Sequence, residues 1–233
     1  MFFLSRFIVL WLLLSLGGTT VFSANYVKEF GADWTSAASY AAQHRAEWQA
    51  VFADFGVDSR IAESVVFPEL VRYSMWQDEI ERAAVNGFYV VGGKEKADFS
   101  IGRFQMKPSF AEDIEVEYNR SSLAREFGFV FNVRDDADAR RSRVNRLSTE
   151  VGQCRYLAIF IRLMYLRHPQ LSSLTSVQQV RFLATAYNRN HKASWADIIR
   201  MQRQRHFHTS MLKTISTKTY RYCDISATYF SLL

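Results

Sequence analysis

Between Trp34 and Phe55 the apolar residues Ala41, Trp48, Val51, Phe52 and Phe55 recur at the three- and four-residue steps that line one face of an α-helix. A chain patterned in this way has to bury helix faces against other helices. Gly56 ends this first helix, and Asp58 or Ser59 caps a second. The second is expected to run from Ser59 to Ala84 with Ile61, Val65, Leu70 and Tyr73 or Ser74 on one side. Pro68 removes a backbone donor within it and crowds the carbonyl of Ser64, so a bend is expected there. From Pro108 the pattern resumes, with Phe110, Ile114 and Tyr118 four apart. Further helices are predicted over Ala137–Arg167, Ser176–Tyr187, Ser194–Gln204 and Cys223–Leu232. Only after Asn86 does the periodicity lapse: Phe88, Tyr89, Val90 and Val91, followed by Gly92 and Gly93, read as a strand or extended loop. With three prolines and ten glycines among 233 residues and 48% apolar composition, the chain is expected to be globular and mainly α, with a short irregular or β segment in its middle.

Residues 1–24 stand apart. Arg6 precedes an apolar run from Phe7 to Leu14, extended by Ser15 and Leu16, and a small-residue exit follows around Val21 to Ala24. This is the layout of a secretory signal, with an uncleaved anchor as the alternative, and the run is too short to span a bilayer comfortably. The remainder, 25–233, shows no linker and no repeat and is expected to form one domain exported from the cytoplasm. Its formal charge of +6 is concentrated at Arg134, Arg140, Arg141, Arg143 and Arg146, and again at Arg200, Arg203 and Arg205. An exported basic chain meets cell-wall polymers and lipid head groups rather than nucleic acid, although a solvated helix face is the commoner account of such a cluster. Cys154 and Cys223 would close a loop of about 70 residues if paired, which stabilises a fold by roughly 4 kcal/mol; the alternative is two buried thiols. His206 and His208, with Cys223, lack a fourth ligand at zinc spacing, so no metal is expected.

The stretch Asp98–Phe110, DFSIGRFQMKPSF, sets Gln105 between Phe104 and Met106 in otherwise apolar company. It belongs with two other segments. Gly56–Ser74, GVDSRIAESVVFPELVRYS, resembles the catalytic helix of the lysozyme-like lytic transglycosylases and goose-type lysozymes, with a Gly-Val-Asp start and a glutamate, Glu69, eleven residues after Asp58. Gly102, Arg103, Phe104, Gln105, Met106, Lys107 and Pro108 are similar to that family's Gly-Leu-Met-Gln-like segment ending in proline. Ala186, Tyr187 and Asn188 are similar to its Ala-Tyr-Asn at a helix end. The three occur in the family's order and together cover Gly56–Asn188. Two departures stand out: Leu70 occupies the place of the serine that usually follows the glutamate, and 33 residues separate Glu69 from Gly102.

The resemblance implies a lysozyme-like helical domain in the periplasm, acting on peptidoglycan glycan strands, with no cofactor and with a cell-envelope assembly as a possible partner. Glu69 would be the general acid that protonates the oxygen bridging N-acetylmuramic acid and N-acetylglucosamine. An apolar setting, for which Phe67, Phe104 and Met106 are candidates, would keep it protonated. In a transglycosylase the same carboxylate then acts as base on the muramic C6 hydroxyl, giving a 1,6-anhydro end. Gln105 would offer its amide at the cleft floor, Gly102 would permit close approach or positive φ, and Tyr187 and Asn188 would reach the catalytic region. Two alternatives stay open. A muramidase would hydrolyse the bond with Asp98 as second carboxylate, and a non-catalytic domain would only bind glycan. Glu63, followed by Ser64, rivals Glu69 as the acid but lies roughly 120° round the helix from it.

Overall fold

The computed structural model describes residues 25–74, 87–210 and 214–233. Their helices, in order, are α1 (Tyr26–Phe30), α2 (Ala32–Asp54), α3 (Ser59–Ser74), a short α4 (87–92), α5 (Pro108–Arg120), α6 (Leu123–Phe127), α7 (Ala137–Leu147), α8 (Glu150–Arg167), α9 (Ser176–Asn188), α10 (Trp195–Met201) and α11 (Tyr222–Phe230), with a 3₁₀ turn at Pro169–Ser173. The only β pairing among these residues is two isolated antiparallel bridges, Ile101 with Met106 and Phe207 with Tyr220. The fold is therefore mainly α. None of the described helices is long and apolar enough to cross a membrane. Residues 1–24, where a signal is expected, lie outside the described residues.

Helix α3 is the centre. Every residue from Ile61 to Val71 is buried, and a helix apolar on all sides has to be enclosed by others. Helices α2, α9 and α11 do most of the enclosing. The one-sided burial expected from Ile61, Val65 and Leu70 is thus corrected: Ala62, Val66 and Phe67 fill the opposite faces. The helix continues through Pro68, and its expected extension to Ala84 lies outside the described residues. The buried apolar side chains form one cluster from Tyr26 to Phe230.

Two element boundaries differ from expectation. The run Phe88–Val91 is helical, with Tyr89 buried while Phe88 and Val91 are exposed; a run this short carries no period that separates strand from helix. Tyr89 is anchored by its hydroxyl, which donates to Glu112 Oε1 at 2.8 Å. The expected Ala137–Arg167 helix is two helices. At their joint Thr149 caps α8 by accepting from the Gly152 amide at 3.1 Å, and a Cβ on Gly152 would sit 1.9 Å from the Arg146 carbonyl.

The first basic cluster, Arg134 to Arg146, is paired with acids of the same chain. Glu115, fully buried, accepts from Arg143 at 2.9 and 2.6 Å, from Arg146 at 2.7 Å, and from the Tyr156 hydroxyl. Arg140 pairs with Asp135, Arg141 with Asp138 and Arg134 with Asp136. Both cysteines are free and buried, Cys154 in α8 and Cys223 in α11. Burial pushes both thiols up, Cys154 strongly, so they are inert core residues.

Candidate active site

Glu69 lies on α3, 4% exposed, and desolvation raises its pKa above the ordinary carboxylate range. Two groups pull the other way without reversing the shift: Arg72, whose Nη1 donates to Glu69 Oε2 at 3.1 Å, and the hydrogen-bonding side chain of Asn188. The ion pair between residues three apart on the helix is thus formed, and burial still outweighs it. Arg72 is itself fixed. Its Nε and Nη2 donate to the His208 carbonyl at 2.9 and 2.8 Å, and its guanidinium lies 4.4 Å over the Phe207 ring.

Asn188 is the last residue of α9, and Tyr187 precedes it. The Tyr187 hydroxyl donates to the Phe104 carbonyl at 2.7 Å, and burial together with the Glu69 charge raises its pKa. Glu69, Asn188 with Tyr187, and the Phe104 segment therefore converge, although they come from three distant stretches of chain.

The Gly102–Gln105 segment is a tight turn closed by the Ile101–Met106 bridge. Its backbone takes positive φ at Gly102 (68°) and at Gln105 (52°), the latter being the only non-glycine to do so among the described residues. The Gln105 amide donates back to the Gly102 carbonyl at 2.9 Å, so part of its capacity goes to the turn rather than to a ligand. Close approach at Gly102 is made by a protein side chain: a Cβ there would lie 1.7 Å from Gln153 Nε2. Gln153, on α8, accepts from the Phe104 amide at 2.7 Å and donates to the Leu147 carbonyl at 2.8 Å, clamping the turn to the joint between α7 and α8. Phe104 and Met106 are buried in the core; Phe104 meets Trp48 edge-on with ring centroids 5.1 Å apart. What the Phe104 segment offers the site is its backbone.

Phe67 does not supply the setting for Glu69. It stacks on Tyr229 at 3.6 Å and against Trp34 at 4.7 Å, and two helical positions put it roughly 200° round α3 from Glu69. Glu63 is fully engaged: Arg45 grips both its oxygens, at 3.0 and 2.7 Å, and the Tyr229 hydroxyl donates to one of them. Asp98 caps α5, accepting from the Ser109 amide at 2.9 Å and its hydroxyl at 2.8 Å, with Lys107 at 3.4 Å. None of these partners belongs to the Glu69 group. Among the described residues no second carboxylate acts on Glu69.

Tyr222, at the start of α11, was not singled out by sequence patterning. It is buried, its hydroxyl has no hydrogen-bond partner among the described residues, and its pKa is raised first by burial and then by the charge of Glu69. No local motif marks it, because its role comes from the packing of α11 on α3 and α9. Ligand types suited to a metal come together among the described residues at His44, Glu47 and Glu150, where Glu150 already accepts from Trp48 and Tyr40 and lies 3.2 Å from His44 Nδ1. A groove of about 560 Å³ includes Lys94, Glu112, Asp113 and Lys192 but none of the Glu69 group. Two pairs of its charges meet, Lys94 with Glu112 at 3.2 Å and Lys192 with Asp113 at 2.6 Å.

No family model matches the chain, and neither the curated proteins nor the solved structures contain a match to it.

Proposed function

We propose that this protein is a peptidoglycan lytic transglycosylase of the lysozyme-like class, exported to the periplasm, with Glu69 acting as acid and then as base. The observation that carries this reading is the meeting of the three motif segments: the Asn188 side chain acts on Glu69, and the Tyr187 hydroxyl donates to the backbone of Phe104.

The chemistry follows from the surroundings of one carboxyl. Burial raises the pKa of Glu69, which favours the protonated state able to give a proton to the glycosidic oxygen. As the bond from C1 to that oxygen breaks, the proton passes to the departing sugar, and the substrate's own acetamido group stabilises the positive charge at C1. The carboxylate left behind is held by Arg72 and Asn188, so the ionised state is also supported inside the protein. It then accepts the proton of the muramic C6 hydroxyl while that oxygen bonds to C1. Glu69 ends protonated and no water is consumed.

Hydrolysis through Asp98 is less well supported, because both Asp98 oxygens are committed to the start of α5. The test is to digest purified peptidoglycan with the protein and weigh the products. Ends lighter by one water are the expected anhydro products. Reducing ends would make it a muramidase, and no products a binding domain. Glu69→Gln is expected to abolish turnover and Glu63→Gln to act only through stability.

A further inference from the structure

Arg103 stands in the turn beside Gly102, where the resembling segment carries leucine. Its guanidinium is held between two aromatic rings, 4.3 Å from the centroid of Tyr40 and 4.1 Å from that of Tyr73. Both walls are themselves held. The Tyr40 hydroxyl donates to Glu150, and Tyr73 is buried on α3. A cation held against two rings is restrained in position, and its five N–H donors lie along the guanidinium edge. Arg103 makes no hydrogen bond and no ion pair with any described residue, although it is partly exposed. The carboxylate behind Tyr40, Glu150, is already taken by Tyr40, Trp48 and His44. Arg103 therefore differs from Arg134, Arg140, Arg141, Arg143 and Arg146, each of which is paired with an acid.

Its place is beside the candidate site. Tyr73 lies four residues after Glu69 on α3, so the two side chains project from the same helix face one turn apart. Arg103 also shares its turn with Phe104, whose carbonyl receives the Tyr187 hydroxyl. A flat, immobilised guanidinium with an unused fork matches a carboxylate in two-pronged geometry. We infer that Arg103 forms an anion subsite of the glycan cleft, taking a carboxylate of the substrate strand and so selecting strands that carry muramic acid over neutral polymers of N-acetylglucosamine. The inference rests on the proposed function, since it names what the same cleft selects.

Titration calorimetry on the full chain tests it with three ligands: the neutral N-acetylglucosamine tetrasaccharide, the alternating N-acetylglucosamine and N-acetylmuramic acid tetrasaccharide with free lactyl carboxylates, and the same tetrasaccharide bearing stem peptides. The expected result is that a carboxylate-bearing ligand binds about tenfold tighter or more than the neutral one, as a charge-assisted hydrogen bond provides. Arg103→Met should remove that preference, and Arg103→Lys, which keeps the charge without the fork, should retain part of it. Preference for the peptide-free ligand assigns the lactyl carboxylate; preference confined to the peptide-bearing one assigns a peptide carboxylate. Either supports the subsite. Equal binding of all three ligands, or a preference unchanged in Arg103→Met, would overturn it while leaving the proposed reaction standing. Failure of every ligand to bind would overturn both. Near-ultraviolet circular dichroism checks that each variant is folded, and Arg103→Lys keeps the comparison decisive if Arg103→Met is not.

Discussion

Arg72 reaches back along α3 to Glu69, Nη1 to Oε2 at 3.1 Å, while the rest of its guanidinium holds the His208 carbonyl. The pair is buried, yet Glu69 keeps a raised pKa because desolvation exceeds the attraction. A carboxyl whose folded-state pKa is raised contributes its full stability below the unfolded value, and that contribution is lost as pH climbs through the folded one. Glu69→Gln should therefore melt above the wild type at pH 7, by about 2–4 °C for roughly 1 kcal/mol, with the gap closing toward pH 4. Activity of the wild type should fall on the alkaline side over the same climb. Scanning calorimetry across pH checks this; a gap that does not depend on pH would sink the account of Glu69.

Tyr222 offers a cleaner separation of function from stability. Its buried hydroxyl lacks a partner among the described residues, and an unpaired buried donor costs about 1–3 kcal/mol. Tyr222→Phe is expected to raise the melting temperature while lowering turnover of peptidoglycan. Tyr187→Phe, which deletes the bond to Phe104, should instead cost about 1 kcal/mol. Urea titrations of both variants, beside a digestion assay, read the contrast. A destabilised Tyr222→Phe would argue against the arrangement.

Gly102 is required twice over, by φ of 68° and by the Gln153 amide 1.7 Å from where a Cβ would stand. Gly102→Ala should destabilise the chain by about 2–4 kcal/mol. Adding Gln153→Ala should recover only part of this, because the steric conflict goes but the strain stays and the Phe104 amide loses its acceptor. A double-mutant cycle by chemical denaturation measures the coupling, and simple additivity of the two changes would contradict the clamp.

Glu115 neutralises two arginines deep in the molecule. Glu115→Gln leaves Arg143, itself 3% exposed, with only the more distant Glu112 at 3.5 Å as counter-charge, and removing one partner of a buried pair costs about 3–5 kcal/mol. The expected outcome in urea is a midpoint shift of that size with the slope unchanged. A shift under 1 kcal/mol would show that water reaches the group.

Much of the helical framework was legible because its signals are local. The periodic run in α2, the proline opening α5 and the spacing of α9 each state their own structure. What failed were cases in which neighbours decide. The apolar run at Phe88–Val91 becomes helix, its Tyr89 tied to Glu112 on α5. The long run through Ala137–Arg167 is cut at Thr149, where Gly152 presses on the Arg146 carbonyl. At the site, Arg72 could be read from its spacing to Glu69, and Asn188 from the resemblance. Tyr222, Gln153 and the stacking of Arg103 could not, since each depends on a partner far off in the chain. Phe67 misled for a related reason: adjacency in sequence to Glu69 put it on the opposite side of the helix.

Helix α11 closes around α3 from the far end of the described chain: Tyr222 stands in the field of Glu69, the Tyr229 hydroxyl reaches Glu63, and Asp224 pairs with Arg181 at 2.5 Å. A ribosome delivers α3 long before α11. In the folded protein α11 packs directly on α3. Desolvation of a carboxyl on α3 thus depends on a segment about 150 residues downstream, and a change that loosens α11 is expected to act on Glu69 without touching it.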